Sequence, residues 1–169
     1  MPLALFYLRL AQHSAIVNET YSLELGRLLV DMKITGLANL VFSQIKFSSL
    51  YYEESQIGSI NGLIEDGKLL EAVEGLQLLI QNGSQSLVIY ETLADIFRRR
   101  SEYEEAIKNY SISLKLASEL DPITMWSIYF FRGISYERAG NWMLAEADLR
   151  KALELNPKQP QVLNYLGYS

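Results

Sequence analysis

Five alanines constrain what this chain can fold into more than any other feature. Ala4, Ala38, Ala72, Ala106 and Ala145 are separated by 34, 34, 34 and 39 residues, and each is followed four places on by a large apolar residue: Leu8, Phe42, Leu76, Tyr110 and Leu149. A second series, Gly26, Ile60, Ala94, Gly133 and Gly167, steps by 34, 34, 39 and 34. Both series keep one phase and share one interruption of five residues, 39 against 34. A fixed period of this length marks stacked supersecondary units, none of which buries its apolar face alone.

Within each unit the apolar spacing is helical. Residues 126–139 place Tyr129, Arg132, Gly133 and Tyr136 on one face, and Gly140-Asn141 breaks the pattern. A second helix over 142–155 carries Ala145, Leu149, Ala152 and Leu153 on its inner stripe. Small residues at fixed inner places let two helix backbones approach closely. In the third unit Ser101, with Glu104 three places on, reads as a capping box that opens a helix. The five extra residues follow Ser113; they read as one further turn on a helix from Tyr103 to Glu119, with Asp121 as the next N-cap and Pro122 at the first helical place.

These helix-turn-helix units resemble the tetratricopeptide repeat (TPR), whose motif runs Trp-x2-Leu-Gly-x2-Tyr, Ala-x3-Phe, Ala and Pro. Here it appears as Tyr129-x2-Arg132-Gly133-x2-Tyr136, Ala145-x3-Leu149, Ala152 and Pro157, and again as Leu25-Gly26, Leu29 and Ala38-x3-Phe42. The second unit fits least well, with Ser59-Ile60 at the Leu-Gly place and Gly58 and Gly62 lowering helix propensity by roughly 1 kcal/mol each. The resemblance implies an all-α, right-handed helical-hairpin solenoid forming one array over 1–169. It would hold a half repeat at 1–16, full repeats at 19–50, 53–84, 87–120 and 126–158, and a partial repeat at 160–169. The segment from Tyr129 onward looks like the long multi-TPR proteins of alphaproteobacteria, which implies a longer bacterial parent working in cytoplasm or periplasm.

Composition narrows function by exclusion. The net charge is −5, so the chain lacks the overall basic balance that phosphate binding favours, and nucleic acid is not expected as a partner. There is no cysteine and one histidine, His13, so thiolate chemistry and paired-histidine metal sites are unavailable. Adjacent carboxylates such as Glu53-Glu54 and Glu104-Glu105 point about 100° apart on a helix and do not converge as a catalytic pair. No apolar run reaches the roughly 20 residues a membrane span needs. The chain therefore reads as a non-catalytic scaffold without metal or cofactor.

The resemblance also implies where a partner polypeptide would lie, on the concave face lined by first helices. In this register the groove places are Leu23, Arg27 and Val30; Ile57, Asn61 and Ile64; Glu91, Asp95, Arg98 and Arg99; Phe130, Ile134, Glu137 and Arg138; and Asn164 and Tyr168. Asn61 suits a peptide backbone because its amide both donates and accepts. The apolar members can equally pack on each other. A TPR subclass that clamps chaperone tails has Lys four places before Asn; Leu23 and Arg27, or Ile57 and Asn61, stand there instead, so that clamp is absent. Arg98-Arg99-Arg100 closes one helix and Glu102, Glu104 and Glu105 open the next, a placement the helix dipoles favour by themselves. The alternative to a groove scaffold is a structural middle segment that stacks on flanking repeats or self-associates through uncapped ends, at Ala4-Leu8 and Leu163-Leu166.

Overall fold

The computed structural model describes residues 19–117, 122–157 and 159–167. Among the described residues there are nine α-helices and no strand: α1 Glu19–Asp31, α2 Thr35–Phe42, α3 Tyr52–Glu65, α4 Leu69–Gln81, α5 Leu87–Arg99, α6 Tyr103–Leu116, α7 Pro122–Arg138, α8 Trp142–Leu155 and α9 Pro160–Gly167. The chain divides into two compact units, Met1–Asn82 and Gly83–Ser169. The expected half repeat at 1–16, with Ala4, Leu8 and His13, lies outside the described residues, as do Asp121 and Tyr168.

In the first unit α1 packs on α2, α2 on α3, α3 on α4, and α1 lies beside α3. In the second, α5 packs on α6, α6 on α7, α7 on α8 and α8 on α9. The two sequence series explain both cores. Ala38, Ala72, Ala106 and Ala145 are fully buried, and so are Phe42, Leu76, Tyr110 and Leu149. Gly26, Ile60, Ala94 and Gly133 are buried as well, whereas Gly167 is exposed at the end of α9. A Cβ on Gly133 would sit 3.2 Å from the Ala145 carbonyl oxygen and 3.0 Å from Leu149. The α7–α8 seam therefore has no spare volume. Ala145→Leu is expected to cost about 1–3 kcal/mol by overpacking, read as a shift in urea midpoint; a change under about 0.5 kcal/mol, the range of surface positions, would place Ala145 off the seam.

Each hairpin turns in the same way, and this corrects one expectation. After α5 the N–H of Glu102 donates to the Phe97 carbonyl at 2.9 Å and that of Ser101 to the Arg98 carbonyl at 3.1 Å, while Ser101 itself has φ +62°. That is a Schellman ending. Ser101 thus closes α5 and does not cap α6, whose N-cap is Glu102. The same bond pair occurs around Lys33 (φ 58°), Gly67 (φ 74°) and Gly140 (φ 82°). Lys33, Gly67, Ser101 and Gly140 are spaced by 34, 34 and 39, so the turn obeys the repeat even where its residue is not glycine. The residue type hid the turn, because Lys and Ser seldom adopt the left-handed conformation.

The five-residue interruption also falls differently. Helix α6 has 14 residues and ends at Leu116. Helix α7 has 17 and begins at Pro122, the first helical place read from the sequence, so it runs four residues ahead of the repeat boundary at Trp126. The additional turn described by the structure therefore belongs to α7, with Pro122 at its first position, where a missing N–H costs nothing. Residues 118–121 lie outside the described residues.

Candidate functional site

In the first unit, α1 and α3 run side by side and leave an open groove of about 370 Å³ lined by Val30, Asp31, Asn61, Ile64 and Glu65. Three of these, Val30, Asn61 and Ile64, are places expected to face a partner, but Val30, 8% exposed, packs into the core with Leu23 and Leu29 and only edges the groove. Val30 and Ile64 are repeat equivalents, 34 residues apart, and so are Asp31 and Glu65. Helical spacing brings them together: positions 61, 64 and 65 of α3 share one face, and 30 and 31 lie at the adjoining end of α1. Asn61 is exposed, and its side chain has no hydrogen bond among the described residues. Two other expected groove residues of this unit are engaged elsewhere. Leu23, 2% exposed, belongs to the core with Leu29, Ala38 and Phe42, so its role is packing and not contact with a partner. Arg27 pairs with Glu24 at 2.9 Å and reaches across to Glu54 on α3. Ile57 is half-buried.

In the second unit the charged places of α5 form a network. The Tyr110 hydroxyl donates to Asp95 Oδ1, Arg98 donates to Tyr110 Oη at 3.2 Å and to Asp95 Oδ1 at 3.1 Å, and its guanidinium lies 4.5 Å from the centre of the Phe131 ring. Burial, then the Asp95 charge, holds the Tyr110 phenol far above its usual range. Burial opposes the charge on Arg98, but its bonds to Tyr110 and Asp95 outweigh it and leave the guanidinium more basic than usual. Asp95 and Arg98 are therefore turned to internal partners. Arg100 pairs with Glu102 at 2.7 Å, and Arg99 is exposed. Phe130, expected to face a ligand, is 7% exposed and packs with Leu149, Ala152 and Val162, so it too is a core residue. Ile134 packs against the same cluster. Glu137 accepts a bond from the Tyr165 hydroxyl at 2.9 Å and pairs with Arg138 at 3.3 Å. Asn164 is exposed on α9.

Glu91 is the carboxylate whose setting is least favourable. It is half-buried, with no hydrogen bond among the described residues, and burial followed by repulsion from Asp95 raises its pKa above 4.5. A carboxyl raised in the folded state adds stability that is full below its unfolded pKa and is lost as pH rises through the folded value. Glu91→Gln is therefore expected to melt at a higher temperature than the parent chain at pH 7, with the difference disappearing below about pH 4. Equal melting at pH 7 would mean that Glu91 is solvated.

The constellation that sequence reasoning overlooked is Arg132 with Asp148. Arg132 donates twice to the carboxylate, at 2.6 and 2.8 Å, and once to Ser111 Oγ at 3.0 Å. It lies between the rings of Tyr129 and Tyr136, 5.5 and 5.7 Å from their centres. Asp148 is 6% exposed. Burial again opposes the charge on Arg132, and the Asp148 bond more than offsets it. The signal was present in the sequence: Arg132 occupies the leucine place of the motif, and a cation in a buried helix seam requires a partner. Among the described residues no three His, Asp or Glu side chains gather as a metal site, and no helix is long and apolar enough to cross a membrane.

No protein-family model matches the chain. One curated relative, a lipoprotein NlpI homolog from Haemophilus influenzae, is 51% identical over 41 residues, which is 24% of this chain and only 13% of that protein. Among solved structures, a crystal structure of MamA superposes with a TM-score of 0.72 at 19% identity, covering 92% of this chain and 87% of that one. A tetratricopeptide repeat protein from Parabacteroides merdae gives 0.70 at 21% identity, covering 85% of this chain and 56% of that one. The all-helical hairpin fold is thus that of tetratricopeptide-repeat solenoids.

Proposed function

We propose that this tetratricopeptide-type chain is a non-catalytic interaction scaffold that holds a segment of a partner polypeptide in the groove between α1 and α3. The carrying observation is that groove itself: half-buried Ile64, with the edge of the core residue Val30, gives it an apolar lining, and Asn61 offers a free amide beside them. A free amide next to an apolar strip fits an extended peptide, since the amide can pair with a backbone N–H and C=O while the strip takes a side chain. Repeat arrays of this kind supply binding surfaces of this sort.

The test is affinity capture on the intact chain with mass-spectrometric identification, run in parallel with a chain carrying Asn61→Ala and Ile64→Ala and checked for unchanged helicity. A polypeptide retained by the parent and lost by the variant supports the groove. Partners that bind both chains equally place recognition elsewhere. A second reading, self-association, is favoured by Leu163, which is 49% exposed on α9. Sedimentation at high concentration decides it: a dimer abolished by Leu163→Lys supports that reading, and a strict monomer removes it.

A further inference from the structure

We infer that the partner segment taken by the α1–α3 groove is cationic, an extended stretch bearing lysine or arginine beside apolar residues, and that Asp31 and Glu65 are the anionic rim that recognises it. This inference rests on the scaffold reading above and adds the chemical class of the ligand.

Both carboxylates stand where the fold disfavours them. Asp31 is the last residue of α1 and Glu65 the last of α3, and neither helix has a basic residue in its final turn. The C-terminal end of a helix carries partial negative charge, so an anion there is repelled and a cation is stabilised. Both side chains are exposed, and neither has an ion pair or hydrogen bond among the described residues. The cations nearest in sequence, Lys33 and Lys68, belong to the turns that follow and do not line the groove. Arg27, also on α1, is already bound to Glu24 and Glu54.

The repeat itself shows that the architecture does not require acids here. The equivalent places in the second unit, 34 and then 39 residues on, are Arg99 and Arg138, each in the final turn of its helix, where the dipole favours a cation. The same structural position is thus anionic twice in one unit and cationic twice in the other. In the first unit the two unpaired acids line the same groove as Val30, Ile64 and the free Asn61 amide. A cationic side chain entering it lies near both acids and near the negative ends of both helices at once. A basic peptide fits this set, because the apolar lining and the amide serve its backbone and neighbouring side chains while the rim serves its charge.

The experiment is panning of a short random-peptide phage library on the intact chain, followed by fluorescence anisotropy of the selected peptides. Each peptide is measured against the parent, against Asp31→Asn/Glu65→Gln, and against Asn61→Ala/Ile64→Ala. The expected result is enrichment of Lys and Arg next to apolar residues, with binding about three- to tenfold weaker to the neutralised rim and the gap narrowing in high salt. The neutralised chain is also expected to melt higher than the parent, because its helix ends no longer carry opposed charge; a lower melting temperature would overturn the argument from misplaced acids. Selected peptides that are neutral or acidic, or that ignore the rim substitutions while still needing Asn61 and Ile64, overturn the cationic assignment and leave the groove standing. Peptides that bind all three chains equally, or no selected binder at all, remove the groove reading and this inference together.

Discussion

Replacing Arg132 with methionine is expected to lower the stability of the second unit by about 3–5 kcal/mol, a large fraction of the roughly 5–15 kcal/mol that holds a typical domain folded. The substitution leaves Asp148, 6% exposed, without the two hydrogen bonds that neutralise it in the α7–α8 seam. An isolated carboxylate there must either be protonated or draw in water, and both disrupt packing around Leu149. The pair is not thereby a net source of stability. Removing both charges together, with Arg132→Met and Asp148→Leu, is expected to recover most or all of the loss, since desolvation of two ions offsets much of their attraction. Urea unfolding of the two single variants and the double variant forms the cycle. Single and double variants that fall equally would show that the side chains matter for their shape and not for their charge pairing.

The second large effect concerns glycines that look like defects. A Cβ on Gly58 would lie 2.4 Å from the ring of Phe42, and one on Gly26 would lie 2.3 Å from the same ring. Phe42 is fully buried, with Gly26 of α1 and Gly58 of α3 both against its ring. Gly→Ala in a helix ordinarily adds about 1 kcal/mol of stability through propensity. Here the sign is expected to reverse, with Gly58→Ala costing about 1–3 kcal/mol from forced repacking. Gly36 in α2 is the internal control: a Cβ there meets nothing within 4 Å, so Gly36→Ala should stabilise by roughly 0.5–1 kcal/mol. Adding Phe42→Leu to Gly58→Ala should make the alanine cheaper than it is alone. Thermal or urea unfolding that shows Gly58→Ala and Gly36→Ala shifting stability the same way would contradict the wedge.

Much of the architecture was legible because its period is carried by side-chain volume. Ala38, Ala72, Ala106 and Ala145 must be small and their partners four places on must be large, and both requirements survive in the residue names. The turns were less legible. Their period is carried by backbone dihedral, and Lys33 and Ser101 adopt a glycine conformation that their names do not announce. The poor motif fit at Gly58 was legible only as weakness; its cause, the Phe42 ring, comes from a helix outside that repeat. The site was half legible. Phase alone placed Asn61 and Ile64 on the groove, but it also placed Leu23 and Phe130 there, because one helical face contains both a rim and a buried seam. The change from acid at positions 31 and 65 to base at positions 99 and 138 was readable in the letters and acquires meaning only with the helix ends located.

The wedge of Phe42 bears on how such a chain can change over generations. Arrays of this type grow by duplicating a repeat, and copies remain interchangeable while every seam is alike. The seam between α2 and α3 is no longer like the others. The place held by Gly58 in α3 is held by Phe131 in α7, and a hairpin carrying a side chain at that place could not follow α2 without colliding with the Phe42 ring. The first two repeats are thereby a matched couple: a side chain at position 58 demands a smaller one at position 42, so the two can be exchanged only together.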